Sequence, residues 1–168
     1  MYIIVLNICG NHENRFHFLD PKPNMILPGT FTKVSYSHDQ YTLNNIFFHF
    51  PVQIKTSHTP VHEHPQKHED HYIVFDTTDE TNHASLERFS QLEEHILNSY
   101  YEYHQTMKKP VHTIQKQLLS GNCKIHGRPS SNIGGSSYIM KISGIWESDT
   151  EYGITFRILT SSPEPFPS

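Results

Sequence analysis

The chain has 168 residues and a mass of 19.6 kDa, a size that suits one domain with a single core. Hydrophobic residues make up 35% of it and the mean hydropathy is −0.56, and no apolar run approaches the roughly 20 residues of a membrane helix. The formal net charge of −4 argues against a uniformly basic nucleic-acid-binding protein, although a local basic surface is compatible with it.

The charges are segregated along the chain. Residues 61–105 carry ten acidic and two basic groups, whereas residues 106–145 carry six basic groups and no acid. The basic segment at 106–145 is suited to contacting a polyanion, and the alternative is that it forms an ordinary solvated surface. The six cations are Lys108, Lys109, Lys116, Lys124, Arg128 and Lys141.

The first half of the chain reads as β-strands. In 31–37 the residues alternate, with Phe31, Lys33 and Ser35 on one face and residues 32, 34 and 36 on the other. Phe47, Phe48 and Phe50 cannot all face inward on one strand, so at least one is expected to be exposed or covered by a partner. The predicted strands are 2–8, 31–37, 44–56 and 71–77.

The pattern then changes from a period of two to steps of three and four residues. This change predicts one amphipathic helix over about 82–105, and a second, shorter helix over 112–119 that ends at Gly121. A short strand at 123–125 and a glycine- and serine-rich loop at 126–137 follow. Two further strands, 138–146 and 152–159, are joined by a polar turn.

This order of elements predicts a mainly β fold with one long helix, of the α+β class. The expected architecture is an antiparallel barrel of the oligonucleotide-binding type with a packed helix. We predict an N-terminal strand or extension at 1–24, a single domain at 25–160 and a flexible tail at 161–168, and whether Met25 is an alternative start stays open. Two widely spaced cysteines fit a reducing, intracellular compartment.

The sequence gives no sign of catalysis, and we expect neither an enzyme nor a cofactor. Nucleophile-elbow, phosphate-loop, dinucleotide-binding and zinc-protease motifs are all missing. Histidine is abundant between the strands at 44–56 and 71–77, where two prolines and the lack of cysteine favour a solvated polar loop over a metal site. The weak candidate metal ligands are His58, His62, His64, His68 and His71.

Binding of a flexible polyanion is the alternative that the residues favour. The six cations and Arg157 would neutralise phosphates, and aromatic side chains of the last two strands would stack on bases. Three aromatics are candidates for this stacking, Trp146, Tyr152 and Phe156, although each is also a plausible core residue. Lys108 and Lys109 could equally complement the dipole at the end of the long helix.

Three segments carry a resemblance to a known family. They are GTFTKVSYS at 29–37, LNNIFFHFPV at 43–52 and IMKISGIWESDTEYGITFRI at 139–158. These segments resemble single-stranded-DNA-binding proteins of large double-stranded DNA viruses, which have an oligonucleotide-binding barrel. The histidine-rich loop, the first 24 residues and the C-terminal tail lie outside the resemblance.

The resemblance implies a non-enzymatic protein that binds single-stranded DNA without sequence preference in viral DNA replication, recombination or repair. Three questions stay open: whether RNA is also a ligand, whether the protein forms a homo-oligomer, and whether the acidic segment or the tail contacts replication proteins. The expected location is inside the host cell, in nucleus or cytoplasm. The alternatives are a structural or interaction protein of a virion or host interface, and a metal-binding protein that uses the histidine loop.

Overall fold

The computed structural model describes residues 3–59, 70–127 and 137–161, which form a mainly β structure with two helices. The strands are β1 (Phe16–Phe18), β2 (Lys22–Pro23), β3 (Thr30–His38), β4 (Tyr41–Leu43), β5 (Ile46–His49), β6 (Ile54–His58), β7 (His71–Phe75), β8 (Lys109–Val111), β9 (Asn122–His126), β10 (Ser137–Glu147) and β11 (Glu151–Ser161). The helices are α1 (Glu80–His104) and α2 (Thr113–Leu119).

The sheet is built around the antiparallel hairpin of β10 and β11. The free edge of β10 pairs with β5 along its first half and with β3 along its second half. The free edge of β11 pairs with β8 and then with β9, and the sheet continues through β7 to β6. β1, β2 and β4 pair with β3, so the N-terminal strands lie in the same sheet as the C-terminal hairpin.

The expectation of a wholly antiparallel sheet is wrong. Both β8 and β9 run parallel to β11. The chain leaves the edge of β11 after β8, forms α2 and returns to the same edge as β9, and a connection of this kind keeps the direction of the strand. Across the described residues the sheet is mixed and open, and the α+β class is as expected.

The strand predicted at 2–8 is not formed by the described residues 3–8. Leu6 makes one isolated parallel bridge to Phe48. Beyond it, the side chain of Asn7 accepts a hydrogen bond from the backbone N–H of Cys9 at 2.9 Å, and this local turn ends the pairing. Leu6 is buried, whereas Ile3 and Ile4 are exposed, so only the end of the apolar run reaches the core.

The long helix agrees with its prediction to within two residues. The Asp79 carboxylate accepts a hydrogen bond from the backbone N–H of Asn82 at 3.0 Å and caps the first turn of α1. At the other end Gln105 adopts a left-handed conformation, with φ of 48°, which stops the helix. Neither helix in the described ranges is long and apolar enough to cross a membrane.

Both helices pack against the same face of the sheet, which we call the inner face. Tyr100 of α1 contacts Tyr152 of β11, with 5.4 Å between ring centroids, and Thr113 of α2 donates a hydrogen bond to the backbone carbonyl of Ile154. Alternation along the hairpin then assigns Lys141, Trp146 and Arg157 and their neighbours to the opposite, outer face. The buried inner-face residues of the hairpin are Tyr138, Met140, Ile142, Ile145, Tyr152, Ile154 and Ile158.

The three phenylalanines near β5 divide as predicted. Phe48 and Phe50 are buried in the core, whereas Phe47 points to the outer face and is half-buried. The Nζ atom of Lys141, opposite Phe47 in the strand pairing, lies 5.8 Å from the centroid of its ring. This cation–π contact places an aromatic ring and a positive charge side by side on the outer face.

Candidate nucleic-acid interface

Two aromatic rings on the outer face lie over glycines. Phe31 and Trp146 are opposite each other in the pairing of β3 with β10. A Cβ atom at Gly144 would lie 2.5 Å from Cζ of Phe31, and one at Gly153 would lie 2.8 Å from the indole of Trp146. A Cβ atom at Gly144 would also lie 2.4 Å from the backbone carbonyl oxygen of Thr32, so the strand pairing requires this glycine as much as the Phe31 ring does. At Gly153 the three nearest atoms all belong to Trp146, so the missing Cβ atom lets the indole lie close against the sheet. Neighbouring rings held in this way form a platform for stacking.

The two rings line a groove of about 710 Å³ on the outer face. One wall is the hairpin face of β10 and β11, and the other is the segment that connects β2 to β3. None of the described residues that line it is an aspartate or a glutamate. The lining residues are Lys22, Pro23, Asn24, Met25, Ile26, Leu27, Phe31, Lys141, Ser143, Trp146, Thr155, Arg157 and Leu159.

The cations in and beside this groove have no acidic partner among the described residues. Lys141 and Arg157 are opposite each other in the hairpin, Lys22 lies on the far wall, and Lys33 is opposite Gly144. The ion pairs of the described chain involve four other cations. Positive charge without an acidic partner, beside half-buried aromatic rings, suits the phosphates and bases of a single strand.

Beyond Arg157, the outer side of β9 carries a lysine that is already paired with an acid. Lys124, on the outer side of β9, pairs with the carboxylate of Asp70 at 2.7 Å, and Tyr72 lies opposite it. Burial lowers the pKa of His126 from its usual 6.5, and the charges of Arg157 and Lys124 lower it further. The carboxylate of Asp70, which pairs with Lys124, opposes this lowering of the His126 pKa.

Lys108 lies at the inner face. Its Nζ atom is 2.7 Å from Oε1 of Glu147, and the hydroxyl of Tyr100 donates to Oε2 of the same carboxylate at 2.8 Å. Burial acts to raise the pKa of Glu147, but the hydrogen bonds from Lys108 and Tyr100 overcome it, so the net pKa is lowered. The lysine therefore neutralises an acid of the C-terminal hairpin.

We expect Lys108→Met to cost about 1–2 kcal/mol of unfolding free energy at neutral pH, because Glu147 loses a charged hydrogen bond. A lowered folded-state pKa means that Glu147 contributes stability above its unfolded value of 4.5, and that this contribution is lost as the pH falls. Urea unfolding near neutral pH and at about pH 3.5 should show the penalty shrinking in acid. Lys109→Met, at an exposed neighbour, should cost almost nothing; an equal cost would contradict the role of this pair.

The other predicted contact residues are separated by the fold. Tyr152 is 2% exposed and packs against Tyr100, so its ring presents no free face to a base. Phe156 belongs to the inner face, opposite Ile142, and packs against the core. Lys109 on β8 and Lys116 on α2 are exposed outside the groove, and Arg128 lies outside the described residues.

The histidine candidates give no metal centre within the described ranges. No group of three or more histidine, cysteine, aspartate or glutamate side chains comes together there. Of the five candidates His58 stacks on Tyr72, with ring centroids 5.5 Å apart, and Nδ1 of His71 is 2.7 Å from the hydroxyl oxygen of Thr59. The other three, His62, His64 and His68, lie outside the described residues.

The structure thus brings Lys141, Trp146 and Arg157 together on the outer face, with Lys124 toward β9. Sequence reasoning missed Phe31 and Lys33 as site residues, although their shared face was readable from the alternation in β3. It also missed the wall at 22–27, for which the sequence offers only a run of exposed apolar residues. No protein-family model, no curated protein and no solved structure matches this chain.

Proposed function

We propose that this chain is a non-enzymatic protein that binds single-stranded DNA across the outer face of its sheet. The observation that carries the proposal is the acid-free groove in which Trp146 and Phe31 lie beside Lys22, Lys141 and Arg157. The cations would neutralise phosphates and the rings would stack on bases, neither of which reads sequence. The ligand is therefore expected to bind without sequence preference.

The resemblance of three segments to viral single-strand-binding proteins supports the same proposal. The segment at 139–158 contains most of β10 and β11, and the segment at 29–37 contains most of β3. These strands supply the stacking platform and the hairpin wall of the groove. A kinship to oligonucleotide-binding barrels and a role in viral DNA replication, recombination or repair form part of the proposal.

The single tryptophan of the chain offers a direct test. An oligothymidylate of about 16 nucleotides should quench the fluorescence of Trp146, and the affinity should fall as the salt concentration rises from about 0.05 to 0.2 M. The corresponding duplex should bind more weakly, because its bases are not available for stacking, and an RNA oligomer of the same length tests the preference for DNA. No binding at low salt, or equal affinity for duplex and single strand, would overturn the proposal.

We expect the double substitution Lys141→Ala, Arg157→Ala to reduce the steepness of the salt dependence. Each phosphate contact on a single strand contributes about 0.7 to the slope of log K against log salt, so two lost contacts should lower the slope by about 1.4. The measurement is the anisotropy of a labelled oligonucleotide at several salt concentrations.

The matched control is Lys109→Ala, Lys116→Ala, which removes the same charge from exposed positions outside the groove. Its slope should stay near that of the unsubstituted protein. Equal losses in both double variants would show that the basic segment acts as a whole, and would contradict the assignment of binding to the groove.

A further inference from the structure

The segment between β2 and β3 exposes three consecutive apolar residues at the rim of the groove. Met25 is 94% exposed, Ile26 is 85% exposed and Leu27 is 57% exposed, and all three line the groove. Burying an apolar side chain stabilises a structure by about 1.5–3 kcal/mol, and the fold does not bury these three side chains. A contiguous exposed patch of this kind beside a groove is typical of a binding surface.

The segment is anchored at both of its ends. The backbone N–H of Asn24 donates to the carbonyl of Gly29 at 2.9 Å, and the Asn24 side chain accepts from the N–H of Ile26 at 3.0 Å. Gly29 has φ of 126°, and a Cβ atom there would lie 2.0 Å from the carbonyl oxygen of Glu147. Only glycine permits this close approach, so the base of the segment is held against the end of β10.

The residues of the hairpin wall, which faces this apolar segment across the groove, indicate which ligand would bind there. The rings of Phe31 and Trp146 lie against Gly144 and Gly153, with Lys141 and Arg157 on the same outer face. A ligand that fits between an apolar rim and these rings needs a planar, largely apolar part and a negative charge on its edge. An unpaired base attached to its phosphate has both parts, whereas a base pair in a duplex offers no free ring face.

We propose that Met25–Leu27 is an apolar clamp that holds an unpaired base against the Phe31 and Trp146 platform, and thereby makes the groove selective for single strands. This inference rests on the proposed function and adds the element that recognises bases. The clamp acts through apolar contact, so its contribution depends on the presence of a base and hardly on salt. The lysines and the arginine contribute the part of the affinity that depends on phosphate.

The test compares two ligands of equal length and charge on the full chain. One is an oligothymidylate of about 16 nucleotides, and the other has the same sugar–phosphate backbone without bases. In the triple variant Met25→Ser, Ile26→Ser, Leu27→Ser, the preference for the oligothymidylate should fall roughly fivefold or more, with the salt slope unchanged. Met107→Ser with Leu119→Ser, at exposed positions outside the groove, is the matched control and should keep the preference.

The outcomes separate the clamp from the function on which it rests. If the unsubstituted protein binds neither ligand at low salt, the proposed function fails and the clamp fails with it. If it binds the oligothymidylate and the triple variant keeps the full preference, or loses affinity for both ligands equally, only the clamp is overturned. Circular dichroism should show an unchanged fold, and the single variant Ile26→Ser gives the same test should the triple variant not fold.

Discussion

Replacing Trp146 by alanine is expected to weaken the binding of single-stranded DNA by about 1–3 kcal/mol, which is roughly 5- to 150-fold. The indole lies over Gly153 on one side of the groove and has Phe31 opposite it in the neighbouring strand. Its position is therefore fixed before any ligand arrives, and little ordering is needed when a base stacks on it.

Because this substitution removes the only tryptophan, the measurement is the anisotropy of a labelled oligonucleotide. Trp146→Phe keeps a ring over Gly153 and should recover most of the affinity, whereas Trp146→Leu keeps apolar volume without a ring face and should not. Unchanged affinity in Trp146→Ala, with the fold intact by circular dichroism, would remove the platform from the proposal.

Glu93→Ala is expected to be the most destabilising substitution that we predict, with a loss of about 3–5 kcal/mol. Glu93 lies on α1, is 0% exposed, and accepts hydrogen bonds at the start of α2. The backbone N–H groups of Ile114 and Gln115 donate to its two carboxylate oxygens, each at 2.8 Å, and the Thr113 hydroxyl lies 3.3 Å from one of them.

This carboxylate takes the place of a capping side chain at the N-terminus of α2. His112 precedes α2 and makes no side-chain capping hydrogen bond, so the first N–H groups of the helix would otherwise have no partner in the core. Alanine would leave the N–H group of Ile114 buried and unsatisfied, and would leave a cavity between the helices. A typical domain has an unfolding free energy of only about 5–15 kcal/mol, so this substitution would remove a large part of it.

Chemical unfolding of Glu93→Ala and Glu93→Gln measures the effect, and we expect glutamine, which keeps one acceptor oxygen, to cost less. Burial raises the pKa of Glu93 above 4.5, although the Gln115 and Ile114 N–H groups oppose it. A raised folded-state pKa gives stability that is present below 4.5 and is lost as the pH rises through the folded value. The cost of Glu93→Gln should therefore be larger at about pH 4 than at about pH 7. A cost below about 1 kcal/mol for alanine would contradict the capping role.

Local pattern predicted most of the elements. The change from alternation to steps of three and four residues gave the long helix. The alternation in β3 separated Phe31 and Lys33 from the buried side, although Ser35 of the same predicted face is buried. These features depend on neighbours in the sequence, which a single chain displays. A strand at 123–125 was expected and corresponds to β9, but β8 and the parallel pairing of both strands with β11 were missed. Only two or three residues of each strand pair with β11, and such pairings leave no periodicity to detect.

The candidate site was predicted only in part, since burial and pairing decide which side chains are available. Trp146, Tyr152 and Phe156 looked equivalent in the sequence, but strand alternation sends Trp146 to the outer face and the other two to the inner face. The acid-free segment also looked uniformly available. In the fold Lys108 and Lys124 pair with Glu147 and Asp70, which come from other parts of the chain.

The sequence by itself determined the class of the fold, the long helix, the C-terminal hairpin and the supply of cations and rings, because each of these follows from local composition and period. The tertiary structure decided which of those residues form one surface. Pairing of β3 with β10 brings Phe31 beside Trp146, the two glycines make room for their rings, and the segment at 22–27 closes the far wall. The contacts of β3 and of the segment at 22–27 with the hairpin join residues more than a hundred positions apart, and only the hydrogen-bonded register of the strands sets them.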